Sequence, residues 1–222
     1  MRGFYFITDA GLSRAGNVSD VQNAVAAGVK VVQYREKDAH PDRMREEARR
    51  LRRLCRDVPF LVNDHVDLAL EVGADGVHLG QDDLPYETAR KMLGKTKIIG
   101  ITVHNVREAL EAEWLGADYL GVSPVFPTCT KADAGLPGGL ELIREISRRV
   151  SLPLIAIGGI NLANAGEVLR AGADGLCAIS AVVTRPDVRA AIEKFQELFK
   201  NEPLTRTRPS DGPGKSQGGG VG

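Results

Sequence analysis

Cysteine is scarce in this chain. It has three, Cys55, Cys129 and Cys177, an odd count with neither zinc-ligand nor secreted-domain spacing, which points to a reduced, cytoplasmic setting. A charge excess of either sign is missing too. The 29 basic residues balance 29 acidic ones, so no overall field draws the chain to nucleic acid or to an anionic membrane. No apolar stretch approaches a membrane span, and the run entered at Phe4 is too short for a signal peptide, so it reads as a first strand. The glycine fingerprint of dinucleotide-binding sheets is absent, because Thr8-Asp9 follows that strand. Nor is there a nucleophile–base pair. His40 reads as a helix-entry residue and His78 as lying inside a strand, His65 and His104 near the mouth have no partner at the required spacing, and Cys129 has no fixed base nearby. These absences exclude secreted, membrane and nucleic-acid roles and leave a soluble globular protein.

What the chain does have is most concentrated at residues 60–83, FLVNDHVDLALEVGADGVHLGQDD. A short apolar run ends at Asn63-Asp64, a helical pattern stops at Gly73, and Gly76 to Leu79 leads to Gly80-Gln81-Asp82-Asp83. A right-handed crossover would make the two strands parallel and put Asp64 and Asp83 at the same edge. Two carboxylates with no cysteine or histidine pair beside them suit a hard cation such as Mg²⁺ carrying a phosphorylated ligand. A plainer role stays open, with Asp64 capping a helix and Asp83 opening a turn.

A weak repeat extends this unit along the chain. Ala27-Gly28-Val29, Gly73-Ala74-Asp75, Gly116-Ala117-Asp118 and Gly172-Ala173-Asp174 each close a helical pattern and open an apolar run. The alternation predicts strands at 4–8, 29–34, 59–63, 75–79, 97–101, 118–122, 153–158 and 174–179. Helices are expected near 18–27, 41–56, 65–73, 85–93, 105–115, 138–149, 161–171 and 187–199. Strands apolar throughout belong to a sheet covered on both faces. Eight strand–helix units in a chain of 222 residues therefore predict a single α/β domain, a (β/α)8 TIM barrel over 1–199. Helix 41–56 has an apolar stripe at Met44, Ala48, Leu51 and Leu54, and its many arginines are diluted by acids into a solvated outer face. Residues 200–222 shift to Pro, Gly, Ser and Thr and read as a disordered tail.

Barrel chemistry sits at the carboxyl ends of the strands. On strand two, alternation sends Gln33, Arg35 and Lys37 one way, and a salt-bridged rim with Glu36 and Asp38 is the structural alternative. Strand three offers Asn63 and Asp64, strand four Gln81 and Asp83, and strand five is followed by Thr102. After strand six comes a long loop, 123–137, with Thr128, Cys129, Thr130 and Lys131, the kind of loop that forms a lid or binds ligand. Gly158-Gly159 ends strand seven and Ile179-Ser180 ends strand eight, where barrel phosphate sites are common. The set describes two anionic ligands side by side, with no strong general base. That favours electrostatic handling of a leaving group.

These residues resemble the thiamine-phosphate synthase family, also called thiamine-phosphate pyrophosphorylases. The matching pieces, in order, are QYREK at 33–37, LVND at 61–64, the run ending GVHLGQDD at 83 and PVFPTCTK at 124–131. IGGI at 157–160 and AGADGL through Ile179-Ser180 complete the set. The resemblance implies a (β/α)8 transferase that joins an aminopyrimidine methyl diphosphate to a thiazole monophosphate, releasing pyrophosphate with Mg²⁺. By resemblance, Gln33, Tyr34, Arg35, Glu36, Lys37 and Asn63 contact the pyrimidine diphosphate, Asp64 and Asp83 hold Mg²⁺, and Thr102 and Lys131 meet pyrophosphate. Thr128, Cys129, Thr130, Gly159, Ile179 and Ser180 would hold the thiazole phosphate. Arg35, Lys37, Thr102 and Lys131 would carry the catalysis, which in the family is dissociative.

Three positions depart from the family pattern. Thr102 stands where serine is common, His65 where a second aspartate often follows, and Cys129 where an acid is frequent. Two competing readings are a thiazole tautomerase-like isomerase on the same barrel and a non-catalytic, ligand-sensing barrel. The first typically lacks the lysine at 37 and the paired aspartates, and the second would have lost metal or cation residues. The expected partners are small molecules, with no nucleic acid or membrane; a homo-oligomer is compatible with the sequence.

Overall fold

The computed structural model describes residues 2–128, 130 and 135–201. Eight parallel strands close on themselves in chain order: β1 Gly3–Ile7, β2 Val31–Tyr34, β3 Phe60–Asn63, β4 Gly76–Leu79, β5 Ile98–Val103, β6 Tyr119–Val122, β7 Leu154–Ile157 and β8 Gly175–Cys177. The seam is the pairing of Gly3 with Gly175 and Phe4 with Leu176. Outside run α1 Asn17–Ala26, α2 Pro41–Leu54, α3 Val66–Glu71, α4 Tyr86–Leu93, α5 Val106–Leu115, α6 Gly139–Arg149, α7 Ala165–Arg170, α8 Ser180–Val183 and α9 Val188–Asn201. This is a (β/α)8 barrel. α9 seals the seam, packing the Phe195 ring against Phe4 at 5.2 Å with a 40° tilt and using Gln196 to accept from Phe4 N and donate to Gly28 O.

The Gly-Ala-Asp repeat has a mechanical purpose. Asp75, Asp118 and Asp174 each precede or open an even strand and accept the backbone N–H of the odd strand beside it. Asp75 takes Phe60 N at 2.8 Å, Asp118 takes Ile99 N at 2.8 Å, and Asp174 takes Leu154 N at 2.9 Å. Each carboxylate thus satisfies a strand-opening donor that the ladder leaves over. The first copy has Lys30 in place of the acid; Lys30 N donates to Phe4 O at 2.9 Å, and the Phe4 N–H that an aspartate would take is accepted by Gln196 instead.

Two cores result. The larger, between sheet and helices, holds the outward-facing strand residues such as Phe4, Phe6, Val32 and Tyr34. The smaller fills the barrel with Tyr5, Ile7, Val31, Leu61, Tyr119, Ile155 and Cys177. Glycine makes room inside: a Cβ on Gly100 would lie 2.0 Å from the Tyr119 ring, and one on Gly121 2.9 Å from His78 Cε1. α2 buries Met44, Ala48 and Leu51, while Arg45 and Arg49 pair with Glu71 on α3 and Arg52 with Asp75.

The departures from expectation are local. β5 runs on to Val103, because Thr102 and Val103 pair with Gly121 and Val122, so Thr102 lies within the strand rather than after it. β8 stops at Cys177 and α8, which was not expected, begins at Ser180. α7 starts only at Ala165, since Asn161 and Asn164 accept from Ala163 N and Asn161 N and hold residues 161–164 as turns. α9 continues to Asn201, past the expected end at 199, and the rest of the expected tail lies outside the described residues. Among the described residues no helix is long and apolar enough to cross a membrane.

Candidate active site

At the carboxyl ends of the strands lies a cleft of about 300 Å³. β2 sends Gln33, Arg35 and Lys37 into it, as the period of two requires. The same alternation turns Tyr34 outward, where it is buried and donates to Glu47 at 3.0 Å. Glu36 also stays out of the lining; its Oε1 folds back to accept Lys37 N and Asp38 N. Of the five residues at 33–37, the barrel therefore brings three into the cleft. Arg35 is steadied by Asp9 at 3.6 Å and by a reciprocal pair with Thr8, whose Oγ1 accepts Arg35 N and donates to Arg35 O.

Asn63, Asp64, Asp82 and Asp83 line the adjoining wall. Asp64 has φ +61°, the left-handed conformation that aspartate adopts more readily than most residues, and its N–H donates to His78 O at 2.9 Å. Asp83 folds through Oδ2, which accepts Gly80 N at 2.6 Å, leaving Oδ1 as its second acceptor. Gln81 lies alongside and donates to Thr102 O. Among the described residues no group of three or more His, Cys, Asp or Glu is arranged to hold a metal ion by itself. The donors near Asp64 and Asp83 are carboxylate and amide oxygens, which fits Mg²⁺: it takes one or two protein carboxylates and completes its shell with phosphate and water.

The opposite side is built from backbone. Gly158, Gly159, Ile160, Ala178, Ile179 and Ser180 face the cleft from the ends of β7 and β8. The two glycines have φ +98° and +63°, and a Cβ on either would strike the loop after β6, at Pro124 Cα or Pro127 O. That loop is pinned at both ends. Val125 N and Phe126 N donate to Ile157 O and Gly158 O, and Gly138 N and Gly139 N donate to Pro124 O and Val125 O. Ser123, Thr128 and Thr130 line the cleft, whereas Cys129 and Lys131 lie outside the described residues. His104 is at the rim, bonded to Glu108 at 3.0 Å, and His65 precedes α3 without lining the cleft.

The floor was not foreseen. Ile7, His78, Ile157 and Cys177 close it, and burial pushes the Cys177 thiol far up, so it stays neutral. Beneath them a hydrogen-bonded chain of buried polar groups crosses the barrel: Gln33, Tyr5, Tyr119, His78 and Thr102. Tyr5, His78 and Tyr119 could have been found from their inward phase on β1, β4 and β6, together with the glycines at 100 and 121 that leave space for them.

The sequence profile described as thiamine monophosphate synthase matches residues 4–182. The chain is 52% identical over 198 residues to a thiamine-phosphate synthase of Methanosarcina barkeri, spanning 89% of this chain and 90% of that one. It is 53% identical over 197 residues to a thiamine-phosphate synthase of Chloroflexus aurantiacus, covering 87% and 91% of the two chains. Among solved structures, thiamine phosphate pyrophosphorylase from Pyrococcus furiosus superposes with a TM-score of 0.83 at 45% identity, covering 90% of this chain and 96% of that one.

Proposed function

The chain belongs to the thiamine monophosphate synthase family and is a transferase of that family, and on that premise we propose its substrates and the division of its cleft. It joins 4-amino-2-methyl-5-(diphosphooxymethyl)pyrimidine to 4-methyl-5-(2-phosphooxyethyl)thiazole, giving thiamine phosphate and pyrophosphate. One observation carries this reading: the cleft has two unlike anion-binding ends, a cationic and carboxylate end on β2–β5 and a backbone end at β7 and β8.

Arg35 and Lys37 neutralise the diphosphate, Thr102 donates a hydroxyl to it, and Gln33 and Asn63 orient the pyrimidine. Asp64 and Asp83 would hold Mg²⁺, which when bound supplies positive charge to the diphosphate. The bond from the pyrimidine methylene to the diphosphate oxygen breaks with its electron pair leaving on oxygen, and the aminopyrimidine delocalises the cation. The thiazole nitrogen lone pair then forms the new C–N bond. Gly159, Ile179 and Ser180 hold the thiazole phosphate, whose charge does not change, with Thr128 and Thr130 beside it; Cys129 is assigned to the same phosphate from the family motif alone. Lys131 is assigned to the departing pyrophosphate from the family motif. The barrel through α9 acts in the cytoplasm on small molecules, without nucleic acid or membrane.

Steady-state kinetics with each substrate varied in turn test the division. An ammonium that meets growing charge acts mainly on kcat, so Lys131→Ala should lower kcat by about 10²–10³. Ser180 provides uniform binding, so Ser180→Ala should raise the thiazole KM and leave kcat near its normal value. A Lys131→Ala variant altered only in thiazole KM would refute the assignment.

A further inference from the structure

The chain of hydrogen bonds under the cleft has a direction. Gln33 Nε2 donates to Tyr5 Oη at 2.8 Å, Tyr5 Oη meets Tyr119 Oη at 2.7 Å, Tyr119 Oη meets His78 Nδ1 at 2.7 Å, and His78 Nε2 meets Thr102 Oγ1 at 2.8 Å. Each phenol has one proton to place. Burial pushes both phenols far above their ordinary range, so they keep those protons at any working pH. Because Tyr5 receives a proton from Gln33, it gives its own to Tyr119. Tyr119 must then give its proton to His78 Nδ1, which places the imidazole proton on Nε2, donated to Thr102. The Thr102 hydroxyl, already an acceptor, has its own proton to offer the cleft that it lines.

We infer that Tyr5, Tyr119 and His78 are positioning residues whose one-way hydrogen-bond chain fixes Thr102 as a donor, and the Gln33 amide oxygen as an acceptor, toward the substrate. Turning the Gln33 amide over would reverse every link, put the imidazole proton on Nδ1 and commit the Thr102 proton inward. The cleft would then meet an anion beside Arg35 and Lys37 with oxygen lone pairs at Thr102, which repel it. The geometry also explains the packing: the His78 ring lies over Tyr119 at an interplanar angle of 28°, with ring centroids 5.5 Å apart, in space that Gly100 and Gly121 leave empty. The chain enters the barrel on β2, passes through β1, β6 and β4, and emerges on β5, linking the two ends of the diphosphate half of the cleft.

The inference rests on the proposed function only for its catalytic consequence, so two measurements separate the two. The first is independent of turnover. His40, His65 and His104 are exposed, and replacing all three with Gln leaves His78 as the single imidazole in a chain with four. Long-range ¹⁵N–¹H correlation should then show the neutral Nε2–H form, and an Nδ1–H form would overturn the polarity. The second is kinetic. Tyr119→Phe keeps the ring and cuts the chain in the middle. It should lower kcat about tenfold or more, the scale on which partners that orient a contacting group act, with the thiazole KM unchanged. The same change should cost nothing further in a Thr102→Val background and its full factor in a Thr102→Ser background. Equal losses in the Val and Ser backgrounds would show that Tyr119 does not act through Thr102. If no thiamine phosphate formed in any variant or in the parent, the proposed function would fall, and the tautomer would still decide the polarity.

Discussion

Asp20, on α1, is 1% exposed, and its Oδ2 accepts the Ser13 hydroxyl at 2.6 Å while Oδ1 has no partner among the described residues. Burial raises its carboxyl pKa, and the Ser13 bond only partly opposes this. A carboxyl whose folded pKa lies above its unfolded value favours the native state most below the unfolded pKa, and that contribution is lost as pH rises through the folded value. Ionised Asp20 therefore weighs on the fold near neutrality. Relative to the parent, the Tm of Asp20→Asn should improve progressively as pH rises above about 4, the unfolded carboxyl range. Parallel Tm profiles would contradict this. Asp83 makes a different prediction: Asp83→Ala should raise the Mg²⁺ concentration needed for half-maximal pyrophosphate release, and an unchanged requirement would remove it from the metal site. Single residues were legible where the period of two acts alone, as at Gln33, Arg35 and Lys37, which all reach the cleft. Tyr5, His78 and Tyr119 went unread, because an isolated tyrosine in a strand looks like core and their shared phase means something only when the glycines at 100 and 121 are matched to them across strands.

The unit that repeats is a helix end followed by a strand start, and its aspartate works on the neighbouring strand. Sequence alone reveals the Gly-Ala-Asp spacing but not the partner, because Leu154 N lies 20 positions from Asp174 and is reached only through the parallel pairing. Of the three acids Asp174 is the most deeply buried, at 4% exposed. Asp174→Ala should cost about 1–3 kcal/mol, the usual penalty for orphaning a buried donor, and the shift of the urea midpoint would measure it. No shift would mean that the clamp is dispensable. Elements with long periodic faces, such as α2 and α6, were placed within a few residues. α8 has only four residues, less than the two turns a helical period needs to show itself, and so went unread.

At the scale of the molecule, an even count of eight apolar strands with no early glycine fingerprint was enough to separate a closed barrel from an open sheet. Closure then does what no local pattern can: it brings residues from the ends of β2, β3, β4 and β5 and the small residues that follow β7 and β8 to a single mouth. The central claim is that these two sets hold two different anions whose joining expels a third. The most direct test follows pyrophosphate and thiamine phosphate together in one reaction, omitting the pyrimidine diphosphate, the thiazole phosphate and Mg²⁺ in turn. The account predicts equal amounts of both products in the complete mixture and no thiamine phosphate in any omission. Pyrophosphate release from the complete mixture without matching thiamine phosphate, or undiminished coupling without Mg²⁺, would contradict it.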